Sequence, residues 1–217
     1  RSGGALPPRP VAPEDVGVEH AQESAQSHGH ATATPTHTNT HSPAQPEAAT
    51  GEIQLIALGI STGGPNALRK IFAQVEPSIG VPIVVVQHMP AGFTAEFAKS
   101  LDRICPLDVK EAQDGDLLQP DRVLIAPGDH HITVERRSLS GLVHVGQDPP
   151  RNGHRPSVDV LFESVASSYG NHSLAVIMTG MGRDGAAEIG AIRKRGGATI
   201  GQDESSSVVY GMPKVAY

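Results

Sequence analysis

One serine, Ser61, stands among glycines where the apolar run LIALGISTGGP (residues 55–65) breaks off. Such a serine can cap a turn, join a phosphate cradle or act as a nucleophile. Glycines after a strand let backbone amides reach an anion at a helix N-terminus, which is the basis of the second reading. The dinucleotide-binding spacing is absent, however, and no Gly-Lys-Ser/Thr follows. For the third reading, residues 59–63 (GISTG) fit G-x-S-x-G, whose glycines permit a tight strand-to-helix turn that projects the hydroxyl. A serine hydroxyl needs a base to remove its proton, and histidine is the usual base near neutral pH. His88 directly follows the next apolar run, PIVVVQ (residues 82–87), so it can reach the same edge of a sheet.

The histidine then needs a carboxylate to fix its tautomer and stabilise the imidazolium. Asp184 in TGMGRDG, Asp129 in PGDHH and Asp203 in GQDES all follow apolar runs, and spacing alone leaves them as rivals. Asp184 also has a purely structural reading, because an aspartate just before a helix is an ordinary N-cap. The chain order Ser, His, Asp differs from the Ser, acid, His order of α/β-hydrolases, which argues against that fold despite the shared motif.

These residues need elements to position them. Ile53 to Gly59 is a continuous apolar run, as in a strand buried on both faces. Pro65 suits a helix's first turn, with Leu68, Ile71, Phe72 and Val75 as its apolar stripe up to Glu76-Pro77. After the strand at 82–87, Phe93, Phe97, Leu101 and Ile104 mark a second helix that Pro106 stops. Arg122 to Ala126 reads as a strand, and His131–Glu135 with Leu142–Val145 as a β-hairpin around RRSLSG. Ser157 is the expected N-cap of a helix buried through Val158, Leu161, Phe162 and Val165. Leu174 to Met178 is another strand. A helix with Ile189 and Ile192 then ends in Arg193-Lys194-Arg195 before Gly196. Ala198 to Gly201 is a last short strand, and a helix is expected from Ser205 onward. Alternating strands and helices predict a doubly wound, mainly parallel α/β sheet, with helices on both faces and an antiparallel hairpin. Functional groups in such sheets lie beyond the carboxyl ends of the strands, which is where Ser61, His88, residues 129–131, Asp184 and Asp203 fall.

Composition divides the 217-residue chain in two. Residues 1–50 hold seven prolines and none of the seven Phe and Tyr residues, the mark of a disordered linker rich in Pro, Ala, Thr and His. Residues 51–217 are long enough for one well-buried core and form the expected catalytic domain. The linker contains His28, His30, His37 and His41, but it lacks the ordered surroundings that fix a metal site. A net charge of −6 lacks the basic balance of a nucleic-acid binder. The single cysteine, Cys105, excludes an intrachain disulfide and suits a reducing compartment. No apolar run approaches the roughly 18 residues of a membrane span, and no signal peptide is visible. The start without Met, directly in linker-like sequence, suggests a fragment.

Six segments in unbroken order, LIALGISTGGP, VVVQHMPAGFT, VLIAPGDHH, NGHRPSVDVLF, VIMTGMGRDGA and GQDESSSVVYGMP, resemble the signatures of the CheB-type protein-glutamate methylesterases of bacterial chemotaxis. The resemblance runs over about residues 53–217. It implies a catalytic triad of Ser61, His88 and Asp184, and so chooses among the three aspartates. It also implies hydrolysis of glutamyl methyl esters on the cytoplasmic helices of chemoreceptors, deamidation of receptor glutamines, a cytoplasmic setting and regulation by an upstream receiver domain that this chain does not contain. The family pattern continues past GMP, implying a C-terminal helix cut short at Tyr217. Acyl transfer of this kind needs backbone donors for an oxyanion, and the candidates are Thr62 and the Met181-Gly182 turn, where Met181 could equally be a packing residue. No metal or organic cofactor is required, and neither nucleic-acid binding nor membrane insertion is expected. The alternative is a phosphate- or nucleotide-binding module on the same doubly wound fold.

Overall fold

A computed structural model describes residues 51–138 and 140–217. The linker expected over residues 1–50, with its histidines, lies outside the described residues. Strand β1 (Leu55–Ile60) leads to α1 (Gly64–Phe72), β2 (Ile83–Gln87), α2 (Thr94–Asp102), β3 (Asp108–Glu111), β4 (Leu117–Leu118) and β5 (Arg122–Ile125). The hairpin β6 (His131–Arg136) and β7 (Gly141–Gly146) follows, then α3 (Val158–Ser168), β8 (Ser173–Ile177), α4 (Ala186–Lys194), β9 (Ala198–Gly201) and α5 (Met212–Ala216). Six strands form one parallel sheet in the order β3-β5-β2-β1-β8-β9, and β4, β7 and β6 form a separate antiparallel sheet.

The apolar runs become central strands because both faces are covered. Leu55 and Ala57 of β1, with Val84 and Val86 of β2, face a cluster built on α3. Their alternates Leu58, Ile60, Ile83 and Val85 face a second cluster formed with Leu68 and Phe72 of α1 and Phe97 and Leu101 of α2. This period of two is the ordinary alternation of a pleated strand. The antiparallel sheet joins the first cluster through Leu118, Ile132, Val134 and Val143. After β1 the chain builds outward through β2, then returns to place β8 on the other side of β1. The strand order therefore reverses at β1, and a crevice opens there at the carboxyl ends of the strands.

Several details depart from the expected pattern. Helix α1 stops at Phe72, where the Gln74 amide bonds to the Ile71 carbonyl and tightens the last turn, so the helix does not reach Glu76. Leu68 and Phe72 are buried as expected, but Ile71 is exposed. Helix α2 buries Phe97 and Leu101, whereas Phe93 and Ile104 lie outside its two ends and are exposed. The helix expected from Ser205 does not form there. Ser205 and Ser206 instead fold around the Asp203 carboxylate, donating to it in a tight turn, and the helix starts only at Met212. Strands β3 and β4 escape a pattern search because β3 reads DVKE, with only Val109 buried, and β4 has two residues.

Candidate active site

The parallel register sets Ile60 at the end of β1 opposite Gln87 at the end of β2, so the next residues, Ser61 and His88, are neighbours at one edge. The ladder continues into them. The His88 amide donates to the Ile60 carbonyl at 3.2 Å, and the Ser61 amide to the Thr179 carbonyl beyond β8 at 2.9 Å. Ser61 Oγ lies 3.1 Å from His88 Nδ1, and His88 Nε2 lies 2.8 Å from Asp184 Oδ2. An ionised carboxylate only accepts, so Nε2 carries the proton and Nδ1 is free to accept from the serine hydroxyl. The imidazole thus presents Nδ1 to the hydroxyl and Nε2 to the acid.

Buried Gln87 secures both backbones. Its Nε2 donates to the carbonyl of Ser61 and to that of His88, each at 3.1 Å, while its Oε1 has no partner among the described residues. The two acceptors set the orientation of the amide.

Asp184 is fully buried and accepts from every side. Oδ2 receives the Val158 amide at 2.6 Å as well as His88. Oδ1 receives Ser157 Oγ at 2.7 Å, Asn152 Nδ2 at 3.0 Å and the Asp159 amide at 3.2 Å. Burial alone would raise this carboxyl, but the hydrogen bonds from His88, Asn152, Ser157 and Val158 outweigh it and hold Asp184 well below the usual carboxylate range. The expected reading of Asp184 as the cap of its own following helix is replaced by another arrangement. Asp184 precedes α4 yet binds the first amides of α3, where unpaired N–H groups and the helix dipole favour an anion. Ser157 occupies the N-cap position of α3, but its hydroxyl is turned to Asp184 instead of capping its own helix.

Close packing makes that approach possible. A Cβ on Gly59 would lie 2.2 Å, and one on Gly185 2.5 Å, from Val158 Cγ1. The first residue of α3 therefore sits between two glycines, one on β1 and one beside Asp184.

The rival carboxylates have other partners. Asp129 pairs with the Arg155 guanidinium at 2.7 Å, and the hydroxyls of Ser205 and Ser206 hold Asp203, whose pKa falls to about 2. His131 is buried and bridges the Ser157 amide and the Pro149 carbonyl, a structural role away from Ser61. Of the expected oxyanion donors, Thr62 is exposed and its carbonyl accepts from Thr179 Oγ1. Met181 is 72% exposed, which argues against a packing role, and Gly182 has φ +92°. Neither the Thr62 nor the Met181 amide has a backbone acceptor among the described residues. As a phosphate cradle the loop is poorly suited, because the Gly64 amide already donates to the Ser61 carbonyl.

Sequence patterns missed Asn152, Ser157 as an acid ligand, Asp159, His154 and Gln87. One signal was present, since Gln87 is a polar residue ending an otherwise apolar strand.

A hydroxyl, an imidazole and a buried carboxylate in one hydrogen-bonded line can pass a proton from serine to histidine, the preparation for attack on a carbonyl. The description "CheB methylesterase" is that of the family model matching residues 56–217. The chain belongs to the CheB methylesterase family. Two relatives named protein-glutamate methylesterase/protein-glutamine glutaminase are closely similar. That of Treponema denticola is 62% identical over 79% of this chain and 46% of its own length, and that of Treponema pallidum 61% identical over 79% and 42%. The crystal structure of the Thermotoga maritima CheB methylesterase catalytic domain superposes with a TM-score of 0.73 at 38% identity, covering 76% of this chain and 88% of that one. This chain spans about half the length of the curated CheB relatives it matches. No helix among its described residues is long and apolar enough to cross a membrane.

Proposed function

We propose that the domain hydrolyses methyl esters of glutamate side chains in proteins and, more slowly, deamidates glutamine side chains. The observation that carries this reading is the line Ser61 Oγ–His88 Nδ1–His88 Nε2–Asp184 Oδ2, with spacings of 3.1 and 2.8 Å. Ser61 Oγ attacks the ester carbonyl as His88 Nδ1 takes its proton, and the anionic Asp184 stabilises the resulting imidazolium. The amides of Thr62 and Met181, with the Gly182 turn shaping the second, are the donors for the tetrahedral oxyanion. His88 then protonates the departing methoxide, methanol leaves, and a glutamyl ester of Ser61 remains. Water attacks that ester with His88 again as base, releasing a glutamate carboxylate and the free serine. Deamidation follows the same course but must expel ammonia, a poorer leaving group. The steps need no group beyond these side chains, amides and water.

Family membership and the names of the relatives support the substrate class. On the same reading the esters lie on cytoplasmic helices of methylated chemoreceptors, the setting is the cytoplasm, and a phosphorylated receiver domain is the regulating partner. The test is methanol release from receptor-bearing membranes methylated with a radioactive methyl group. The protein should release methanol, and Ser61→Ala should lower the rate by roughly 10⁴-fold or more while leaving the melting temperature unchanged. Equal release by both proteins would remove Ser61 from the reaction.

A further inference from the structure

The imidazole of His154 lies flat on that of His88, with ring centroids 3.8 Å apart and planes 10° from parallel. We propose that His154 is a positioning residue, whose flat ring holds the His88 imidazole in the plane that joins Ser61 to Asp184. The inference rests on the hydrolase reading of that triad.

Three observations carry it. First, both hydrogen bonds of His88 are made by atoms in its ring plane, to Ser61 Oγ and Asp184 Oδ2. In-plane bonds at opposite edges leave the ring free to swing about the line between them, and the torsion that would resist this is a broad one for histidine. A ring stacked on one face blocks that swing.

Second, the turn that presents His154 is firmly built. Arg151 and His154 exchange backbone hydrogen bonds at 3.1 and 2.9 Å across Asn152 and Gly153, both in left-handed conformation. Arg151 binds Glu163 and Glu188, one from α3 and one from α4. Asn152 Nδ2 binds Asp159 and Asp184, and Arg155 grips Asp129 and the carbonyls of Gln147 and Asp148. The same turn therefore supports the acid through Asn152 and the base through His154.

Third, burial and the neighbouring His88 lower the pKa of His154, although Asp184 works in the opposite direction. A neutral ring adds no positive charge beside the imidazolium that forms in the reaction, and its π face attracts that cation.

The test uses a fluorophosphonate, which reports Ser61 activation without any protein substrate. Ser61 Oγ forms a bond to phosphorus, the P–F bond breaks, fluoride leaves, and the serine proton passes to His88. The maximal rate of inactivation, kinact, and the half-saturating concentration, KI, are measured for the parent, His154→Phe and His154→Ala, with the labelled residue located by peptide mass. His154→Ala should lower kinact about ten- to a hundredfold with KI unchanged, because a misoriented base slows the step without altering binding. His154→Phe retains a flat ring without the nitrogens and should keep kinact within about threefold of the parent. Should His154→Ala melt early, His154→Leu, which fills the space without a flat ring, takes its place with the same expected loss. Full kinact in the variant lacking a ring would overturn the inference, as would a Phe variant as slow as Ala or a change confined to KI. Failure of the parent to label at Ser61 would instead overturn the hydrolase reading and this inference with it.

Discussion

Asp184 and Asp159 each bind the start of the helix on which the other stands or borders. Asp184, just before α4, accepts the Val158 and Asp159 amides that open α3, and Asp159, in the first turn of α3, accepts the Glu188 amide in the first turn of α4 at 3.2 Å. Asn152 Nδ2 joins the two carboxylates, at 2.6 Å from Asp159 and 3.0 Å from Asp184. The acid of the proposed triad is thus held by the ends of two helices and cannot shift without disturbing both. The position from which it is proposed to act and its contribution to the fold are one arrangement.

Asp184→Asn tests that union. All five groups facing the carboxylate are hydrogen-bond donors, and an amide offers only one oxygen to them. If the NH2 faces His88, the imidazole must present an unprotonated Nε2, leaving its proton on Nδ1 where the serine proton should go. Activity should fall by roughly 10⁴-fold, as expected for a wrong tautomer. An amide NH2 against the Val158 N–H should also cost about 1–3 kcal/mol of stability by denaturant melting. A variant with full stability and no activity would separate the two roles and contradict this account.

The acid dependence of stability should carry the same signature. The folded-state pKa of Asp184 lies below its ordinary value, so its contribution is complete above the unfolded value of about 3.9 and is lost as pH falls through the lower native value. Asparagine does not titrate. The gap in melting temperature between the parent and Asp184→Asn should therefore narrow steadily from about pH 5 towards pH 2. A gap independent of pH would show that the charge on Asp184 contributes nothing.

The residues differ in how far the sequence alone reveals them. Ser61 and His88 are legible because each ends a continuous apolar run, and parallel strands bring such ends together. Asp184 is not legible from pattern, since Asp129 and Asp203 also follow strands, and only the family resemblance separated them. The capping exchange is still less visible. It depends on Val158 entering between Gly59 and Gly185, a contact across about a hundred residues for which local propensity holds no signal. Phe93 and Ile104 fit the helical period yet stay exposed, because periodicity marks a face without showing where the helix ends, and Ile71, within α1, lies at the edge of that face.

Gln87 provides a test of the backbone frame. Leucine at this position removes the donor shared by the Ser61 and His88 carbonyls. The Ser61 carbonyl keeps the Gly64 amide, whereas that of His88 loses its side-chain partner. Gln87→Leu should cost about 1–3 kcal/mol by denaturant melting, the usual penalty for a buried polar group left unpaired. It should also slow labelling of Ser61 by a fluorophosphonate. Unaltered stability would mean that water replaces the amide and that Gln87 does not hold the frame.

Gly180 limits how closely the loop after β8 can approach the serine. A Cβ there would lie 2.3 Å from Met212 Sδ and 2.8 Å from Ser61 Cβ. The methionine tip can move aside, but Ser61 is fixed by its amide bond to Thr179 and by Gln87 on its carbonyl. Gly180→Ala should therefore displace the neighbouring Met181 amide from the position proposed for the oxyanion, as well as crowding Ser61. The expected stability loss is about 1–3 kcal/mol, typical of overpacking. Turnover should fall about a hundredfold, in line with loss of one oxyanion donor. The measurements are a denaturant melt and the rate of methanol release at saturating substrate. A variant that is destabilised but turns over at the parental rate would place the strain on Met212 alone and free the loop from any part in catalysis.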